Sequence, residues 1–136
     1  MRKLFLIFIF IINSFGSENN YELKLYEKIF PSIFKKNLLV YADKKSKEIL
    51  IYSNVLELTI SCIHADILIG KEFENLPQVC EHKPVFSTNY RNFMKNKNSI
   101  GAFYWRKGRP QIKFRLDTLR KYDLILPESL MEFVYE

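Results

Sequence analysis

The sequence predicts one α/β domain, an α/β sandwich whose mixed central sheet ends in an antiparallel hairpin. Three observations carry that expectation. Short apolar runs of strand length alternate with segments of helical spacing, the pattern of parallel strands joined by helices. The pair Lys107-Gly108 separates two strand-like runs, and Ile112, Phe114 and Leu116 alternate strictly with Gln111, Lys113 and Arg115 in the second. A chain of 136 residues, 48% apolar and 15% aromatic, holds one core and leaves no room for another. The same composition excludes disorder, and 4 Gly with 5 Pro exclude collagen-like and low-complexity classes. Two cysteines are too few for a disulfide-dense miniprotein.

Residues 1–16 read as a secretory signal peptide. Arg2 and Lys3 supply the basic start, Leu4 to Ile12 is a charge-free apolar run, and Ser14-Phe15-Gly16 places small residues at −3 and −1. The run is far shorter than the roughly 20 residues that span a bilayer core. Cleavage after Gly16 would leave a single domain over residues 17–136, in a periplasmic location.

Along that domain, residues 20–30 read as an opening helix capped by Asn20, with Leu25, Tyr26, Ile29 and Phe30 as its apolar stripe and Pro31 either breaking it or kinking it before Ile33-Phe34. Residues 37–42 form a short apolar run, the pattern of a strand buried on both faces. Residues 44–52 are helical in spacing, and residues 55–60 are a second strand candidate. Residues 65–70 make a buried strand ending at Gly70, and residues 83–88 another with Pro84 at its start. Thr88 or Asn89 caps a short helix over residues 89–94. The hairpin pairs residues 100–106 with 110–116, with one buried and one wet face. Asp117 opens a helix through Tyr122, and Pro127 opens a terminal one.

Formal charge is +6 for the whole chain; without the leader, 19 basic and 15 acidic residues leave +4. The basic residues cluster in short groups at expected turns, so they read as solvated loops and nucleic acid is not an expected partner. A basic face toward an acidic protein or anionic lipid is the more natural use of the excess.

Cys62-Ile63-His64 and Cys80-Glu81-His82 repeat one C-x-H tripeptide. In extended backbone residues i and i+2 share a face, so Cys62, His64, Cys80 and His82 would form the kind of tetrahedral set zinc prefers. In an oxidising compartment a Cys62–Cys80 disulfide competes with that reading, as do two buried thiols. No nucleophile elbow, phosphate-binding glycine motif or paired-carboxylate arrangement stands out, so the expectation is a non-catalytic protein without a cofactor. The hairpin supplies a candidate partner patch in Trp105, Arg106, Arg109 and Arg115, residue types that dominate binding hot spots. A separate candidate is a small-ligand site for an anion or metabolite beyond the strand ends, at Lys71, Thr88, Asn89 and Arg91.

Residues 62–133 carry a resemblance. Cys62-Ile63-His64-Ala65-Asp66-Ile67-Leu68-Ile69-Gly70 places a cysteine before a buried strand, and Lys83-Pro84-Val85-Phe86-Ser87-Thr88 leads to a short helix. Gly101-Ala102-Phe103-Tyr104 with Arg109 to Leu116 gives a hairpin started at glycine, and Leu124-Ile125-Leu126-Pro127-Glu128-Ser129-Leu130 an L-x-L-x-x-x-L tail. This order resembles the YfiR-like family of small periplasmic proteins. The resemblance implies a periplasmic α/β domain, often a homodimer, that restrains an inner-membrane diguanylate cyclase by binding its periplasmic part, with release tuned by redox or envelope stress. Cys62 would match a family cysteine. The expected function is then a secreted regulatory domain docking on a membrane signalling protein, with small-ligand binding as the alternative.

Overall fold

A computed structural model describes the backbone of residues 2–135 and the side chains of residues 18–135. Helix α1 runs Arg2–Phe34, followed by β1 (Leu38–Ala42), α2 (Lys44–Leu50), β2 (Leu56–Leu58), β3 (Ile67–Gly70), β4 (Val85–Ser87) and α3 (Tyr90–Lys95). The hairpin strands β5 (Ser99–Arg106) and β6 (Arg109–Phe114) and helix α4 (Leu116–Lys121) complete the regular elements. Short 3-10 turns occupy Cys62–His64, Gln78–Cys80 and Glu128–Phe133.

The six strands form one sheet in the order β2-β1-β3-β4-β5-β6, with β1 to β5 parallel and β6 antiparallel to β5. The expected α/β architecture with a mixed sheet is therefore present. The chain steps outward from β1 to β2, then returns to the other side of β1 at β3. That reversal is a switch point, where connections leave for opposite faces and open a crevice at the carboxyl ends of the strands.

The main core lies between the sheet and α1. Tyr26, Ile29, Phe30 and Ile33 pack on Val40, Ile67, Ile69, Phe86, Phe103 and Phe114, all buried. The rings of Tyr26 and Phe30 meet Phe86 edge-on at 5.7 and 5.0 Å, the geometry aromatic quadrupoles favour. The opposite face carries a smaller cluster of Ala65, Leu68 and Val85 under Tyr41, Phe73 and Leu76. That division shows in β1, where Leu38, Val40 and Ala42 are buried while Leu39 and Tyr41 are only half-buried, not buried on both faces as expected.

Helix α1 departs from the expected one at both ends. Asn20 lies inside it, and Pro31 does not break it. An interior proline costs roughly 3 kcal/mol, but the turn beyond it brings Ile33 to 2% exposure and adds Phe34 to the same core. A buried large apolar side chain returns about 1.5–3 kcal/mol, so the extra turn offsets the proline. The helix stops at Lys35, whose φ of 58° is left-handed and whose N–H reaches Pro31 O at 2.9 Å. Of the expected leader over residues 1–16, residues 2–16 lie in the helical backbone of α1, but their side chains fall outside the described residues. Among the described residues no helix is long and apolar enough to cross a membrane.

The hairpin turns where expected. Lys107 and Gly108 have φ of 51° and 76°, the paired left-handed residues of a type I′ turn, which Gly108 adopts without a Cβ penalty. Leu116 is the exception: it opens α4 instead of extending β6.

Candidate functional site

The carboxyl ends of the parallel strands are tied together by one side chain. Asp43, the residue after β1, accepts from Ser46 N at 2.9 Å, capping α2, and from Lys71 N at 2.7 Å, just past β3. Both carboxylate oxygens are thus engaged by backbone donors. Gly70 is required beneath them: a Cβ there would lie 2.5 Å from Asp43 Cγ. Asn89 caps α3 by accepting from Asn92 N at 3.1 Å, and the Asn92 amide donates to Lys71 O. These bonds fix the loops after β1, β3 and β4 as one rim.

Above that rim opens a cleft of about 1000 Å³. Asp43, Lys45 and Ser46 line it from the β1 side, and Lys71, Thr88 and Asn89 from the ends of β3 and β4. The projecting hairpin forms the wall, presenting Phe103, Tyr104, Trp105 and Arg106 from β5 and Gln111 and Lys113 from β6. Tyr90 from α3 and Tyr135 from the terminal segment close one side, and Glu22 of α1 the other. Tyr90 and Tyr104 meet at 5.5 Å between ring centres. Burial raises the Tyr104 hydroxyl above its ordinary pKa, so it stays a neutral donor.

The electrostatics of the cleft are lopsided. Ion pairs among the described residues join Lys36 to Asp66 and Arg120 to Asp117, so Lys45, Lys71, Arg106 and Lys113 have no carboxylate partner there. Asp43 is spent on two N–H groups. Burial pushes the Glu22 carboxyl up, against the opposing pull of the Tyr26 hydroxyl and the Lys45 charge. Four cations around a concave surface make it receptive to anions.

Of the expected small-ligand residues, Lys71, Thr88 and Asn89 do line one cleft, whereas Arg91 is exposed on α3 and takes no part in the lining. Of the expected partner patch, Trp105 and Arg106 line that same cleft. Arg106 stands opposite Arg109 in the last ladder pair, and both are exposed at the hairpin tip. Trp105 turns to the α1 side, 5.9 Å from Tyr21 and 5.6 Å from Phe103.

Arg115 corrects the patch. Its guanidinium donates to Phe93 O at 2.9 Å, Asn96 O at 3.2 Å and Ser99 O at 3.1 Å, and lies 4.2 Å over the Phe93 ring. It clasps the C-terminal end of α3 to β5, so this half-buried guanidinium is engaged inside the domain. Leaving β6 just before α4 turns its side chain inward, where simple alternation places it on the wet face.

The C-x-H tripeptides also need correction. Cys62–His64 is a 3-10 turn, not extended, and Cys80 ends another, so neither tripeptide presents its two side chains on one face. Cys62 and Cys80 are buried and bonded to each other with S–S 2.02 Å, while His64 and His82 are exposed. With both sulfurs in the disulfide, the four-residue zinc set does not exist, and no group of three ligating side chains occurs elsewhere among the described residues.

No family model and no curated protein matches the sequence. A solved structure does. A crystal structure of a conserved domain protein from Vibrio cholerae superposes with a TM-score of 0.58 at 9% identity, over 85% of this chain and 58% of that one. The likeness is one of fold. This chain spans a little over half the length of that neighbour.

Sequence reasoning missed several lining residues. Lys45, Gln111, Lys113 and Tyr135 carry no local signal, because their convergence depends on the strand order. Glu22 had one: it sits a turn ahead of Tyr26 on an otherwise apolar stripe, where a polar residue demands a partner.

Proposed function

We propose that this protein is a binding module for a small organic anion, held in the cleft at the carboxyl ends of β1, β3 and β4. The observation that carries the reading is the set of four cations, Lys45, Lys71, Arg106 and Lys113, around that cleft without a carboxylate partner among the described residues. A cleft of this size at a switch point suits a metabolite, and its tyrosines and Trp105 supply apolar surface with polar tips. Residues 1–16 act as a cleaved signal peptide in this reading and deliver the domain to the periplasm; the Cys62–Cys80 bond suits an oxidising compartment.

The test is a thermal-shift screen of the protein against mono-, di- and tricarboxylates and phosphate esters. A ligand at 100 times its Kd stabilises by about 2.7 kcal/mol, a rise of several degrees. The reading expects such a rise for at least one anion and its loss in the Lys71→Ala, Arg106→Ala double variant. If no anion raises the melting temperature, or the rise survives in the double variant, the reading fails.

A second reading, the regulation of an inner-membrane signalling protein of the diguanylate cyclase type suggested by the YfiR-like resemblance, is favoured by the hairpin tip. Arg106 and Arg109 face each other there in solvent, and Arg106 also lines the cleft, so occupancy and docking would share a residue. Arg109→Ala should then abolish co-purification with a cyclase-bearing membrane protein while leaving anion binding unchanged. Retained co-purification would reject the tip as the contact.

A further inference from the structure

Glu22 is the one acidic or basic side chain among the described buried residues, at 9% exposure on the stripe of α1 that otherwise feeds the core. Leucine at this position would add to the core without the desolvation penalty of a carboxyl. Its Oε2 accepts from the Tyr26 hydroxyl at 3.0 Å, and Tyr26 is fully buried between Phe86 and Phe103. One oxygen is therefore fixed. Among the described residues the Tyr26 hydroxyl is the donor in full hydrogen-bond geometry to this carboxyl, and the Trp105 indole N–H exerts a weaker hydrogen-bonding pull on it. Yet among the described residues no buried side-chain polar atom lacks a partner. Oε1 is thus the atom open to the cleft that Glu22 lines beside Trp105. No cation lies within ion-pair distance of it among the described residues. The cleft accordingly presents cations at the strand ends, of which Lys45 is near enough for its charge to act on Glu22, and a carboxyl oxygen with an indole at the α1 wall.

Building on the anion-binding reading above, we propose that Glu22 Oε1 receives an ammonium group, so that the ligand is a zwitterion of the amino-acid class. Its carboxylate meets the Lys71 side of the cleft and its ammonium meets Glu22. An ammonium answers each feature of this wall where a hydroxyl answers one. It donates to Oε1 and brings a positive charge within ion-pair distance, closer than the Lys45 charge that already acts on this carboxyl.

The test is isothermal titration of the protein with matched pairs: glutamate against glutarate, phenylalanine against 3-phenylpropionate, leucine against 4-methylpentanoate. At least one amino acid should bind tenfold or more tightly than its deaminated partner. Glu22→Gln, which keeps the acceptor for Tyr26, should cut that ratio below threefold while the carboxylate still binds. Glu22→Leu combined with Tyr26→Phe, which removes the partner hydroxyl as well and leaves no orphaned buried donor, should also lose the discrimination but raise the melting temperature, which separates the ligand role from a structural one. Lys71→Ala should weaken both members of a pair alike. Equal binding within every pair by the wild type, or a ratio that persists in Glu22→Gln, overturns the ammonium subsite and leaves the anion reading standing if binding still depends on Lys71. Failure of every member to bind overturns the ammonium subsite, and the anion reading falls with it if no anion of the thermal-shift screen raises the melting temperature.

Discussion

Replacing Arg115 by Ala removes three charge-assisted hydrogen bonds and a cation over an aromatic ring, all internal to the domain. At about 1 kcal/mol for each half-buried bond and about 0.5–1 kcal/mol for the Phe93 ring, the gross loss is roughly 3–4 kcal/mol. Asn96 O also accepts from Ser99 N at 3.0 Å, so that carbonyl keeps a partner and the lower figure applies. Near 4 °C per kcal/mol for a domain of this length, the melting temperature should fall by about 12 °C. The lysine side chain of the Arg115→Lys variant carries a compact point charge that cannot span three carbonyls, so it should recover less than half of the loss. Thermal unfolding followed by circular dichroism reads both values. An Arg115→Ala protein that melts within about 2 °C of the wild type would refute the clasp and return Arg115 to the surface.

Other outcomes follow from the same reasoning. Replacing Cys62 and Cys80 together by Ser should cost about 3 kcal/mol through the reopened loop, and non-reduced mass spectrometry of the wild type should show about 2 Da less than the reduced form, the two thiol hydrogens lost on bonding. Burial raises the Asp66 carboxyl, but the Leu39 N–H and the Lys36 ammonium outweigh it and hold its pKa below the ordinary value. A depressed carboxyl stabilises the fold above its unfolded pKa, and the contribution fades as pH falls through the folded one. Asp66→Ala should therefore lose about 1–2 kcal/mol at pH 7, and the gap to the wild type in urea unfolding should close as pH falls through the lowered folded-state pKa. Gly70→Ala drives a methyl into the Asp43 carboxylate, and a loss of roughly 1–3 kcal/mol is expected together with weaker anion binding in the thermal-shift screen.

Much of this fold was legible because its signals are local. Gly108 with strict alternation at Ile112 and Phe114 gave the hairpin, and the apolar run ending at Gly70 gave β3, since each rests on a short-range pattern. Asn89 capped its helix as expected. What misled was decided by distant contacts. Pro31 stays helical because Ile33 and Phe34 find a core beyond it, and Asn20 caps nothing because the helix continues through it. The C-x-H tripeptides mislead because the spacing rule assumes extended backbone, whereas Cys62–His64 is a 3-10 turn and Cys80 ends another, and the two sulfurs are bonded to each other. The site was half legible. Lys71, Thr88 and Asn89 follow from the rule that open parallel sheets bind at their carboxyl ends. Lys113 and Tyr135 do not, because only the antiparallel return of β6 and the Phe114–Val134 bridge bring them to the same rim.

The central claim is that one cleft binds a small anion. Backbone amide shifts in an NMR titration with an anion selected by thermal shift test it most directly. The account predicts saturable changes gathered at Lys71, Thr88, Asn89, Tyr104 and Arg106, the residues that line the cleft from three separate segments. Changes that fail to saturate, or that gather at Lys36, Lys83 or Arg120 away from the lining, would contradict it.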